Sequence, residues 1–156
     1  MASVDDFLFD QVAEATRSLV PAELGTLRLR ARRWALKAWF GPVEPIKEHY
    51  EAQIIGAQHV PGAATLGIEI GFHAEHKDPA DNDACLARFN VRGATWRKEL
   101  GPEAEAGGFI GRPDQWRRVS EVWADSDLSD DDLSWEIAAR LVDYIVCLEP
   151  LRTAGS

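Results

Sequence analysis

Four runs of strict two-residue alternation between residues 27 and 75 constrain this chain more than any other feature. "LRLRAR" and "RRWALKAWF" alternate from Leu27, the second with Trp34, Leu36, Ala38 and Phe40 on one side. "HYEAQII" follows with Tyr50, Ala52 and Ile54 on its apolar side. "GIEIGFHAEHKD" places Ile68, Ile70, Phe72 and Ala74 on one side. A period of two marks a strand with a single buried face. The first two runs read as one long strand, bulged where Ala31 to Arg33 shift the phase, with a helix as the competing reading. Gly41, Pro42 and Pro45 break the pattern after it, and "VPGA" at 60–63 signals a turn. Residues 27 to 75 therefore read as a three-stranded antiparallel meander.

A sheet with one apolar face must be covered, and the flanking segments supply helices. Residues 3 to 20 carry the stripe Leu8, Val12, Ala15, Leu19, with Ser3 as N-cap and Pro21 as stop. A second helix begins at Asp81 or Asp83, shows Leu86, Phe89, Gly93, Trp96 and Leu100, and ends at Gly101-Pro102. "EAGGFIG" and "QWRRVSEVW" read as a hairpin turning around "GRPD". Ser129 and Asp132 cap a last helix over 130–149, whose face is Leu133, Ile137, Leu141, Ile145 and Leu148, and Pro150 ends it. The order α-β-β-β-α-β-β-α gives a five-stranded antiparallel sheet with helices on one face, a two-layer α+β sandwich. Residues 1–150 form a single domain and 151–156 a frayed tail. This element order resembles that of the secretion-chaperone-like folds, and the resemblance implies a small, acidic, often dimeric protein.

Charge narrows the partners. Seventeen Lys and Arg against 26 Asp and Glu give −9, a field that repels phosphates and anionic membranes. Cys85 and Cys147 lie far apart in helical segments, which argues for buried reduced thiols and against a thiolate metal cluster. No basic-then-apolar leader opens the chain and no apolar run reaches membrane length, so the expected compartment is the cytoplasm.

The polar side of the sheet holds the candidate site. His49, Glu51 and Gln53 alternate outward on one strand, and Glu69, His73 and Glu75 on the next. Apolar parity forces odd residues to face odd ones. A three-residue loop at 61–63 sets His49 opposite Glu75 and Glu51 opposite His73. A slip of two residues pairs His with His, and either register gathers all four groups. Imidazole and carboxylate together are ligands for divalent metals, so His49, Glu51, His73 and Glu75 form a candidate metal site. A His–Glu general base is a second use. The plain alternative is a set of cross-strand pairs on a wet surface. Gly67 and Gly71 leave the face uncrowded. Lys37 and Trp39 share the parity of this face, and Trp39 is placed to wall it.

Other chemistry is weaker. Glu75-x-Lys77 with Glu51 resembles the metal-binding core of restriction-endonuclease-like nucleases, but no "PD" precedes it and the net charge is wrong for DNA. Arg28, Arg30 and Arg32 read as a charged edge, and "QWRRVSEVW", polar on both sides, as an edge or an interface. His59 and His76 read as surface. The expected function is a binding or interaction module, homodimeric and without catalysis. It takes a protein partner or a small polar ligand on the exposed sheet face, and needs no cofactor beyond a divalent metal. The alternative is a metal-dependent, hydrolase-like enzyme using the four His and Glu residues.

Overall fold

A computed structural model describes residues 6–43 and 46–154. The readings of Ser3 as a cap and Pro45 as a breaker lie outside them. The elements are α1 (Leu8–Leu19), β1 (Leu27–Ala31), β2 (Ala35–Phe40), β3 (Glu48–Gly56), β4 (Leu66–Ala74), α2 (Pro79–Asn90), α3 (Gly93–Leu100), β5 (Glu105–Phe109), β6 (Arg112–Ala124) and α4 (Leu133–Thr153). The fold is α+β, with one open antiparallel sheet in the order β1-β2-β3-β4-β6-β5.

Six strands replace the expected five because the run from Leu27 to Phe40 is a hairpin. Arg32, Arg33 and Trp34 make its turn, and Leu27 pairs with Phe40. The phase shift in the alternation marks a reversal, where a bulge was expected. The second helix is likewise two: Asp78 caps α2, accepting from the Ala80 N–H, with Pro79 in its first turn, and the chain breaks at Val91 and Arg92. Asn82 ties the start of α2 to the sheet by accepting from the His76 N–H and donating to the carbonyls of His76 and Gln115.

The even face of the sheet is the core. Leu36, Ala38, Tyr50, Ala52, Ile68, Ile70, Phe72 and Val119 pack with Phe9 and Val12 of α1, Phe89 of α2, Trp96 of α3 and the full expected stripe of α4. Among the described residues, no helix is long and apolar enough to cross a membrane.

Two details of α4 depart from the sequence. Ser129 does not cap it; its hydroxyl donates to Asp127, and Asp132 occupies the cap position. Pro150 does not end it, and residues 151–153 form its last turn in place of a tail. There Arg152 grips Glu149 at 2.7 Å and Glu48 at 3.2 Å, while the Tyr50 hydroxyl donates to Glu149. Arg152→Ala strands a largely buried carboxylate, and is expected to cost about 2 kcal/mol. Thermal unfolding should record a fall of about 4–8 °C.

Asp125, just past β6, adopts a left-handed φ of 54°. Its carboxylate accepts the N–H groups of Ala64 and Thr65 and the Thr65 hydroxyl, joining the ends of β4 and β6. These bonds hold the carboxyl down at about 2, against an ordinary 3.8. A folded-state value below the unfolded one stabilises above the ordinary value, and that stabilisation is lost as pH falls toward the folded value. Asp125→Asn should therefore lower stability at pH 7 and flatten its decline between about pH 4 and pH 2, as read from melting against pH.

Candidate functional site

Among the described residues no α-helix packs on the odd face of the sheet, yet its centre is dry. His49, Glu51, Glu69, His73 and Ser120 are all buried. The wet, exposed face expected from sequence is thus a covered one. Its cover is the β5–β6 hairpin. Phe109 meets the His73 ring edge-on at 4.7 Å, and Trp116 stacks behind Phe109 at 5.3 Å.

The β3–β4 register is the slipped one. His49 faces His73, Glu51 faces Gly71 and Gln53 faces Glu69. Parity permits both registers, so the connection decides. It spans residues 57 to 65 and starts with a turn of 3-10 helix at Ala57–His59, in place of a three-residue loop. The two imidazoles meet as a T at 5.3 Å.

The cluster is built outward from Glu69. Its carboxylate accepts from His73 Nε2 at 2.9 Å, Gln53 Nε2 at 2.7 Å and the Ser120 hydroxyl at 2.7 Å. Arg118 in turn donates to the Ser120 oxygen at 2.8 Å. An ionised Glu69 only accepts, so the Nε2 of His73 carries a hydrogen, and its Nδ1 bears a proton when the ring is charged and the lone pair when it is neutral. That Nδ1 is buried, has no hydrogen-bond partner, and lies 3.4 Å from both Glu51 Oε1 and Glu75 Oε2. His49 Nε2 lies 2.8 Å from Glu51 Oε1 and 3.5 Å from Glu75 Oε2. The four residues each bring a ligand atom, all within 4.8 Å of one another. Adjacent ligands on an ion at about 2.0–2.2 Å are separated by about 2.9–3.5 Å, the spacing of these four edges. His49 is held less firmly than His73: its Nδ1 has no partner among the described residues.

The electrostatics follow from crowding charge in a dry site. Burial opposes ionisation of Glu51, but the hydrogen bond from His49 and the nearby His73 ring outweigh it and hold the carboxyl far below its usual range. Glu69 and Glu75 are lowered against burial in the same way, chiefly by His73. Burial depresses His49, only partly offset by Glu51. Burial also disfavours the charged form of His73, yet Glu69, Glu51 and Glu75 together raise it well above normal. Three carboxylates thus converge on one ring and favour its charged form.

Beside the cluster lies an open cleft of about 350 Å³. Glu51 and Glu75 floor it, Lys37 and Gln53 stand on one side, and Phe109, Ile110 and Trp116 on the other, with Ile55 and His59 completing it. The sequence-predicted set is therefore brought together except for Trp39. That ring is buried, donates to the Pro42 carbonyl and sits under Arg30, so the aromatic wall comes from Phe109 and Trp116. Gly71 does not leave the face uncrowded; its missing side chain is the space where the Ser120 backbone passes. Lys77 follows the end of β4, is exposed, and is not one of the four clustered residues.

Sequence reasoning missed Ser120, Arg118, Phe109, Trp116 and His59. The alternation of Trp116, Arg118 and Ser120 was visible, but the pairing of β6 with β4 was not. Nor is β6 an edge. It lies between β4 and β5, and its other polar side is satisfied internally, with Glu121 accepting from Arg140, Tyr144 and Trp123. His76 pairs with Glu48 at 2.7 Å on the helix side. No protein-family model, curated protein or solved structure matches this chain.

Proposed function

We propose that the protein binds one first-row transition-metal dication between His49, Glu51, His73 and Glu75. The observation that carries this reading is the Nδ1 of His73, oriented by Glu69, buried, unbonded and aimed between two carboxylates. A carboxylate behind a ligating imidazole is the usual outer shell of a metal site, because it fixes the ring and its tautomer. Ordinary cross-strand pairing does not account for the burial. Taking carboxylates out of water costs several kcal/mol per ion unless a partner repays it. With both imidazoles neutral the four ligands carry −2, which a dication cancels, and the His73 proton leaves as the metal binds.

The mixed nitrogen and oxygen set suits Zn²⁺, Mn²⁺, Fe²⁺ or Ni²⁺ and disfavours soft Cu⁺. The aromatic cover from Phe109 keeps water off His73. The metal centre is thus the ligand site of this face of the sheet.

Metal content of the purified protein, with melting curves before and after chelation, tests the reading. At a free metal concentration 100-fold above the dissociation constant, stabilisation is about 2.7 kcal/mol, or about 5–10 °C for a chain of this size. The absence of both bound metal and any metal-induced shift would sink it.

A further inference from the structure

Resting on the metal reading, we infer that the cleft beside the cluster takes a small monocarboxylate with a flat apolar body, its carboxylate on the metal and beside Lys37. Three observations point there. The first is access. The two imidazole side chains are 0% exposed, whereas Glu51 and Glu75 keep 8% and 13%, so the cleft they floor is the open side of the cluster. Four protein ligands would leave two positions free on a six-coordinate ion, and Glu51 and Glu75 are the ligands that reach the cleft.

The second is charge. The dication neutralises Glu51 and Glu75, and Lys37, opposite Glu51 on β2, remains as the cation of the cleft. An anion is then attracted to both. Without metal, the paired carboxylates of the floor repel it. Anion binding at this place is therefore strictly conditional on the metal, even though the whole chain carries −9.

The third is shape. Phe109, Ile110 and Trp116 form an apolar wall across from Lys37, and Arg112 lies over the outer face of the Trp116 ring at 4.8 Å. Phe109 and Trp116 stand at 80° to each other, so a flat body stacked on one ring meets the edge of the other while its carboxylate turns to the floor. A pocket of about 350 Å³ is at the small end of ligand sites and suits a single ring.

Calorimetric titration of benzoate and acetate into Mn²⁺-loaded and chelated protein tests this, with benzylamine and benzyl alcohol as controls. Benzoate is expected to bind the loaded protein, about tenfold or more tighter than acetate, and to leave the chelated protein untouched. Lys37→Met should weaken benzoate about tenfold. Trp116→Ala should erase the preference for benzoate over acetate. Metal stoichiometry is read in the same samples. Metal uptake without benzoate binding, or equal binding to loaded and chelated protein, overturns this inference alone. Failure to take up metal overturns the metal reading and this one with it.

Discussion

Gly71→Ala is expected to destabilise the protein by about 3–5 kcal/mol, the sum of overpacking and backbone strain. Gly71 has a φ of 155°, and a Cβ placed there would lie 2.3 Å from the Val119 carbonyl and 2.5 Å from the Ser120 Cα. Backbone cannot yield as a side-chain tip does, so β4 and β6 must separate. That separation carries the Ser120 hydroxyl away from Glu69 and releases the anchor of His73. Urea unfolding should show the lower midpoint, with a thermal fall of about 6–20 °C. A wild-type midpoint would mean that β6 does not approach β4 this closely.

His73→Gln is the second large effect. The glutamine amide still reaches Glu69 from near the Nε2 position but offers nothing in place of Nδ1. Structural zinc sites with four ligands have apparent binding free energies of about 10–16 kcal/mol, or about 2.5–4 kcal/mol per ligand. Loss of one donor should therefore weaken metal binding by about 10²–10³-fold. Glu69→Gln, which acts only through His73, should weaken it by about 10–100-fold. Competition titrations against a chelator of known affinity give both numbers. No loss in Glu69→Gln would separate Glu69 from the metal.

The legible part of the fold is the part written in periodicity. The alternation of Tyr50, Ala52 and Ile54 against Ile68, Ile70 and Phe72 fixes which face is core, and the α4 stripe fixes what covers it. Parity alone also gathers His49, Glu51, His73 and Glu75, because odd residues must share a face in any register. What parity cannot encode is a shift by two, so the partner of His49 depends on the length of the 57–65 connection. A reversal that keeps alternation on both sides, as at Arg32 to Trp34, looks like a bulged strand. Burial of the polar face was not legible for a related reason. It depends on Phe109, at the end of a hairpin from residues 105–124 that extends the sheet beyond β4, reaching His73, a contact between segments more than 30 residues apart. The same distance hid Ser120, whose hydroxyl has meaning only beside Glu69.

The central claim is that four side chains on one sheet face hold a dication, and a Co²⁺ titration of chelated protein tests it most directly. The expected result is visible d–d absorption that saturates at one equivalent. It should be displaced by Zn²⁺ and lost in His73→Gln while that variant stays folded. Absorption that never saturates, or that persists unchanged in His73→Gln, would contradict the site.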